Sequence, residues 1–499
     1  MKSFLRKQTI FSSLAAMLVP LALAMAAGPV TVSVNARRPG AEVSRTFLGL
    51  SYETSLMLPG AHGVHYFRPG NKPLVAMFKT LGVRSLRIGG ASVDSPKIPK
   101  PDSQDINDFL QFARASGVKV VYSVRLREST DSGDLPPSTS ASNAKYAAKV
   151  ARLIHRHYTD VLGCFAIGNE PYYFKRYAVY SAKWKAIHDA ILAVYPGAKF
   201  CGPDQNPAPE LDKQMVREFG NASGRLVIID QHSYPFGCAY KNPQARNDIS
   251  KLVPYNAAKA RDRMLSPQAY NIYGRIYRGI ESAIAGTSVA YRLTESNSFW
   301  FSGLKGASDS YASALWSVDY LYWWASHGAR GINFHTGDRT GGQLSMPCRY
   351  AAFVSSGDGY QAHPLAYGMK LFDLGGHGRE LAVAVPSAAN LAAYATLDGK
   401  IVSVTLINKA HGFGAGKQAV RIRMDVPLAS SNAQVIFLRA RNNDVGDGFA
   451  GVTLGGAQIE KDGGWNGQWQ PLPPSDVHHN TISVTMPPAS AAVVKAAIR

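Results

Sequence analysis

Short apolar runs alternate with longer amphipathic stretches through most of the chain. Residues 47–52, 83–88, 118–124, 162–167, 198–201, 226–230, 289–293 and 331–334 are compact apolar runs closed by turn-forming or charged residues, and they read as buried strands. The stretches between them repeat apolar positions at helical spacing. Residues 103–116 place Ile106, Phe109, Leu110, Phe112 and Ala113 on one face and end at Gly117, a natural C-terminal cap. Residues 143–158 do the same with Ala147, Val150, Ala151 and Ile154. Further helices are expected near 73–81, 177–194, 209–219, 256–285, 308–327 and 363–374. Eight strands, each followed by a helix, predict an α/β fold with a (β/α)8 TIM barrel over residues 41–375.

The pattern changes at Gly375-Gly376. From there the chain shows short alternating strands, near 381–385, 391–396, 401–407, 418–424, 435–439, 481–486 and 489–496, separated by turn residues. Residues 376–499 therefore predict a second, antiparallel β-sandwich domain. Residues 29–35 also alternate and precede the barrel pattern, so the 27–40 segment is assigned to that sandwich as an edge strand.

Residues 1–26 stand outside both patterns. Lys2, Arg6 and Lys7 precede an apolar run from Leu14 to Leu23, and Ala24-Met25-Ala26 offers a small-x-small cleavage site. That order defines a secretory signal peptide, so a secreted or periplasmic protein is expected. No later segment is apolar for long enough to span a membrane as a helix. The formal charge is +20, and removing Lys2, Arg6 and Lys7 with the leader leaves +17. Such a surface attracts anionic partners. No Lys/Arg run is dense enough for a nucleic-acid arm, and the charge alone does not choose between an anionic membrane, an acidic polysaccharide and a merely soluble basic surface. Cys164, Cys201, Cys238 and Cys348 match no zinc spacing. Cys164 and Cys201 sit in apolar runs, where buried thiols are common. Cys238 and Cys348 fall in loops at one end of the barrel, and a Cys238–Cys348 disulfide is expected. No metal motif, phosphate loop or nucleotide fingerprint is present, so no cofactor is expected.

Two strand ends carry the chemistry. The fourth barrel strand runs into Gly168-Asn169-Glu170-Pro171, and the seventh into Thr294-Glu295-Ser296-Asn297. Catalytic groups of parallel barrels project from the carboxyl ends of strands. Paired carboxylates held about 5–5.5 Å apart can hydrolyse a glycoside with retention, one as acid and one as nucleophile. The charge on one member of such a pair raises the pKa of the other.

The Asn-Glu-Pro motif on strand four with a glutamate on strand seven resembles clan A of the retaining glycoside hydrolases. That resemblance implies Glu170 as acid/base, Glu295 as nucleophile and Asn169 as ligand of the sugar 2-hydroxyl. His232-Ser233-Tyr234 on strand six implies that Tyr234 hydrogen-bonds the nucleophile. Within the clan, Leu48-Gly-Leu-Ser-Tyr-Glu53, Leu86-Arg-Ile-Gly-Gly90 with Asp94, and the composite sandwich look like glycoside hydrolase family 79, the β-glucuronidases and heparanases. That likeness implies that Tyr350, in the long loop after strand eight, holds a uronic acid carboxylate. It also implies that Glu53 and Asp94 bind sugar hydroxyls. A salt bridge behind the sugar site, for instance with Arg87, is the structural alternative for those two. Asn297-Ser298-Phe299-Trp300-Phe301 stands where some members carry glycines, and Trp300 is a candidate stacking platform. The reading is a retaining β-glucuronidase. An endo-acting heparanase-like enzyme, a neutral-sugar clan A glycosidase and a non-catalytic polysaccharide-binding protein stay open.

Overall fold

The computed structural model describes residues 28–60, 62–127, 137–338, 340–341, 346–387 and 390–499. The leader assigned to residues 1–26 lies outside the described residues. Strand β1 is Val30–Asn35; the barrel strands are β2 (Leu48–Glu53), β3 (Ser85–Gly89), β4 (Lys119–Val124), β5 (Leu162–Ile167), β6 (Phe200–Gln205), β7 (Leu226–Ser233), β8 (Ala290–Ser296) and β9 (Ile332–His335). Strands β2 to β9 close in chain order into a parallel barrel, with β9 paired back to β2. The fold class is the one the sequence predicts. Strands four and seven of the barrel pattern are β5 and β8.

The helices are α1 (Lys72–Thr80), α2 (Ser103–Ser116), α3 (Pro137–His157), α4 (Tyr177–Leu192), α5 (Pro209–Phe219), α6 (Ala257–Leu265), α7 (Ala269–Ile284), α8 (Tyr311–Ala325) and α9 (Pro364–Gly375). Helix α2 starts with a capping box, Asp102 accepting from the Asp105 amide while Asp105 accepts from that of Asp102. It stops at Gly117, whose φ of 73° is left-handed. Helix α3 begins six residues before the expected 143, at Pro137, because proline is preorganised for the first turn of a helix. Every residue of α8 is buried. Its inner side faces the barrel, and its outer side meets the sandwich, where Tyr322 stacks on Tyr394 and accepts from Thr405 Oγ1. A helix covered on two sides has no polar face to keep.

The fifth strand is longer than predicted. It continues through Gly202-Pro203-Asp204-Gln205, residues that read as a turn. The register slips between Pro203 and Gln205, and Asp204 takes a left-handed φ of 58°. This irregular strand end carries a carboxylate into the barrel rim.

In the second domain, β1 is not at an edge. It pairs antiparallel with Arg379–Ala384 and parallel with Gln418–Met424, so it lies inside the sheet. Two hydrogen-bonding neighbours explain why Val32 and Val34 are buried in a core shared with Val404, Leu406, Ile422, Ile482 and Val494. That core is separate from the barrel's. No helix among the described residues is long and apolar enough to cross a membrane.

The disulfide expectation is corrected. Cys164 and Cys201 are bonded to each other, with Cα atoms 6.0 Å apart. Their strands are barrel neighbours, paired through Phe165 and Phe200, and both cysteines turn to the opposite face, beside Val121 and Ala166. Cys238 and Cys348 are free thiols. Cys238 Sγ accepts from the Tyr240 amide, and Cys348 packs with Tyr350 and Ala351.

Candidate active site

A cavity of about 780 Å³ opens at the carboxyl ends of the barrel strands, a volume suited to a small ligand. All eight residues singled out for chemistry line it: Glu53, Asp94, Asn169, Glu170, Tyr234, Glu295, Trp300 and Tyr350.

Glu170 follows β5 on a tight turn. Gly168 has φ 81°, and a Cβ there would lie 2.7 Å from that of Leu126. Glu170 itself sits at φ 47°, a conformation costly for a residue with a side chain. The turn is held because the Glu170 amide donates to the Asp204 carbonyl at 2.8 Å. The carboxylate is a quarter exposed. Its Oε1 meets His232 Nδ1 at 3.1 Å and accepts from Asn206 Nδ2 at 3.1 Å.

Glu295 ends β8 in a different setting. Its Oε1 accepts from the Tyr234 hydroxyl at 2.8 Å and its Oε2 from Arg87 at 2.6 Å, while His335 Nδ1 lies 3.7 Å away. Burial pushes its pKa up, but the charges of His335, His232 and Arg87 and the Tyr234 hydrogen bond outweigh it. The carboxyl is held well below the ordinary range, ionised and poised as a nucleophile. Oxygens of Glu170 and Glu295 come within 4.8 Å of each other, with His232 in the same cluster. That separation lies on the retaining side of the two glycosidase geometries.

Beneath the pair is a buried network that the sequence reading did not assemble. Arg87, on β3, is fully buried. It donates to Glu295, to Asn169 Oδ1 at 2.8 Å, to Asp204 Oδ2 at 2.6 Å and to Ser51 at 3.1 Å. Asp204 also meets His232 Nε2 at 3.0 Å and accepts from Thr294 at 3.2 Å. Burial works against charge on Asp204, but Arg87 and His232 bring its pKa down to about 2. Burial likewise disfavours the His232 cation, yet Glu295, Asp204 and the bonds to Asp204 and Glu170 raise its pKa to about 10. Asp230 lies behind, accepting from the Asp204 amide at 2.7 Å, and burial next to Asp204 raises its pKa well above the carboxylate range. An apolar run broken by one arginine, Leu86-Arg87-Ile88, was the available signal for this hub.

Glu170, His232 and Glu295 are the described cluster with metal-ligand spacing. A histidine binds a metal through an unprotonated ring nitrogen. His232 has both ring nitrogens on carboxylates, Nδ1 on Glu170 and Nε2 on Asp204, so the cluster is knit by hydrogen bonds in this structure.

The remaining predicted residues divide. Asn169 has Oδ1 committed to Arg87, so what it can offer a sugar is its Nδ2 donor. Glu53 accepts from the Ser92 amide and hydroxyl at 2.8 and 2.6 Å, and stands 3.8 Å from His335. It closes over Gly90, at φ 69°, where a Cβ would lie 2.4 Å from the carboxylate. Asp94 accepts from the amides of Leu126, Arg127 and Asn169 at 2.9, 3.2 and 3.2 Å. Its burial raises its pKa to about 6 against those amides. The structure thus uses Asp94 to tie the loop after β4 to the catalytic loop. Neither Glu53 nor Asp94 pairs with Arg87, which is taken up by Asp204 and Glu295. Tyr350 is buried, with its ring 6.0 Å from His335 and 6.3 Å from Tyr234. Trp300 is 39 % exposed at the rim. Arg127, Tyr172, Tyr173, Asn206 and His335 also line the cavity and were missed.

A closed parallel barrel joined to a β-sandwich is the architecture of several solved glycoside hydrolases. A family 51 arabinofuranosidase from Xanthomonas axonopodis pv. citri matches with TM-score 0.62 at 15% identity, over 94% of this chain and 99% of that one. A 4-O-alpha-L-rhamnosyl-beta-D-glucuronidase from Fusarium oxysporum 12S, solved as a Rha-GlcA complex, matches with TM-score 0.64 at 16% identity, over 93% and 99%. A monomeric beta-xylosidase from Caulobacter crescentus CB15 matches with TM-score 0.60 at 14% identity, over 94% and 99%. At these identities the likeness establishes the fold. No protein-family model matches the sequence, and no curated protein matches it.

Proposed function

We propose that this chain is a retaining glycoside hydrolase that removes β-linked glucuronic acid. The observation that carries the hydrolase reading is the pair Glu170 and Glu295, with oxygens within 4.8 Å in a cavity at the barrel rim. Glu295, kept ionised by Arg87 and Tyr234, attacks the anomeric carbon. Glu170 protonates the departing oxygen. Because His232 and Asn206 occupy Oε1 of Glu170, Oε2 is the oxygen that carries the proton. A covalent glycosyl-enzyme forms, and Glu170 then takes a proton from water as that water releases the sugar.

Three observations support a uronic acid. Tyr350 and His335 stand together in the cavity wall beside Glu295, where a phenol hydroxyl and an imidazole can donate to a carboxylate. Arg246 adds positive charge to the lining. The chain is strongly basic. A glucuronidase is also among the proteins that share the fold. Export is part of the proposal, and the Cys164–Cys201 bond suits an oxidising compartment.

Hydrolysis of p-nitrophenyl β-D-glucuronide, β-D-xyloside and α-L-arabinofuranoside, with the first-formed anomer read by NMR, tests the proposal. Glucuronide should be the best substrate, and the β-anomer should appear first. Preference for a neutral sugar would remove Tyr350 from carboxylate binding. Glycan affinity without hydrolysis of any glycoside would show a binding protein instead.

A further inference from the structure

We propose that Tyr172 and Tyr173 are the platform on which the substrate's leaving group stacks, and that the leaving group they suit is aryl. The proposal rests on the glycosidase reading above. The two tyrosines follow Glu170-Pro171 directly. The acid must point at the departing oxygen, so residues just beyond it on the same loop face the departing half of the substrate. The Tyr172 amide donates to the Glu170 carbonyl at 2.8 Å, closing a tight turn directly after the acid.

Tyr172 is 61 % exposed and Tyr173 44 %, and both line the cavity. Their ring centroids are 4.2 Å apart, and their hydroxyls bond each other at 2.8 Å. The Arg127 guanidinium lies 3.9 Å over Tyr173. One face of a ring has room for a single group at that distance, so Arg127 and Tyr172 take opposite faces of Tyr173. The result is a column, guanidinium then Tyr173 then Tyr172, whose last face is open. Asp94 anchors both ends of the device. It accepts from the Arg127 amide at the base of the column and from the Asn169 amide beside the acid. The platform is therefore built at a fixed offset from Glu170 before any ligand arrives, which lowers the entropy lost on binding.

The choice of an aryl group follows from what the column presents. The two hydroxyls are turned on each other, so the open surface is a flat aromatic face. A pyranose can also lie on such a face through its C–H groups, but its ring hydroxyls then need polar partners at the edge, and the two tyrosine hydroxyls are bonded to each other, so a planar apolar ring is the better match.

The test compares p-nitrophenyl β-D-glucuronide with β-D-glucuronyl fluoride, whose leaving group is too small to reach the column. Both form the same glycosyl-enzyme. In Tyr172→Ala the aryl-to-fluoride ratio of kcat/KM should fall about tenfold, the scale of one lost aromatic stack with its burial. Tyr172→Phe, which keeps the face, should hold that ratio near wild type. An unchanged ratio in Tyr172→Ala would overturn the platform while leaving the hydrolase reading intact. A larger loss on a glucuronyl disaccharide than on the aryl glycoside would overturn the aryl assignment. Wild-type protein inert toward both substrates would overturn the hydrolase reading, and the platform with it.

Discussion

Two clusters of buried charge hold this molecule together, and they are built on opposite plans. The first lies where α8 meets the sandwich. Asp319 accepts from Lys409 Nζ at 2.6 Å, from the Tyr394 hydroxyl at 2.8 Å and from the Tyr270 hydroxyl at 2.9 Å, while Lys409 also donates to Tyr270 at 2.7 Å. Every charge in it is answered locally. The second is the Arg87–Asp204–His232 network. It is as deeply buried, but its outer ends are Glu170 and Glu295, which face the cavity. A closed cluster fixes how two domains pack. An open one spends buried charge on orienting groups whose remaining partner is a substrate.

The largest effect should come from Asp204→Ala. It strips the counter-charge from Arg87 and His232 together, and breaking a buried pair in this way costs about 3–5 kcal/mol. Denaturant unfolding should show that loss, and kcat/KM should fall by more than about a hundredfold, because the same groups hold both glutamates. Asp319→Ala should cost about as much stability, roughly 3–5 kcal/mol, with Lys409 left unpaired. Yet its turnover at 25 °C should remain within about twofold of wild type, since no catalytic group depends on it. If Asp319→Ala damaged turnover as Asp204→Ala does, the distinction between closed and open clusters would be lost.

Tyr234→Phe sharpens the comparison from the open end. It removes one hydrogen bond to an ionised carboxylate, worth about 1.5–3 kcal/mol, so kcat/KM should drop about 10- to 150-fold. Stability should change little, because Glu295 keeps Arg87. The pH dependence of stability reads the same open network without touching either glutamate. His232 titrates near 10 when folded, above its ordinary 6.5, so its proton stabilises the fold fully below pH 6.5 and that contribution fades as pH rises through 10. Asp204 titrates near 2, below its ordinary 3.8, so its contribution is whole above pH 3.8 and is lost as pH falls through 2. Unfolding free energy of wild type against His232→Gln should converge above pH 10. Curves that stay parallel there would remove the histidine cation from the network.

The barrel was legible because parallel strands covered on both faces read as apolar runs, and the eight runs fell in order. The cavity residues were legible where a strand ended in a conspicuous group, as at Glu53, Glu170 and Glu295. Asp204 was not, because Gly202 and Pro203 look like a turn and the strand bends to carry them. The cysteine pairing was misread for a related reason. Cys164 and Cys201 looked like ordinary buried thiols, and only their adjacent, inward-facing positions bring them to bonding distance. Strand β1 was placed in the right domain but at the wrong depth. Alternation marks a face, and says nothing of how many neighbours a strand has. Tyr172 and Tyr173 drew no notice, since an aromatic pair after a proline has no signature until exposure and stacking are known.

The account stands on Glu295 as nucleophile. Incubating the protein with 2-deoxy-2-fluoro-β-D-glucuronyl fluoride and mapping the trapped adduct by peptide mass spectrometry addresses that claim directly. The predicted result is one glycosyl group per chain, on the peptide that contains Glu295, and none in Glu295→Gln. An adduct on another residue, or hydrolysis by Glu295→Gln at the wild-type rate, would contradict it.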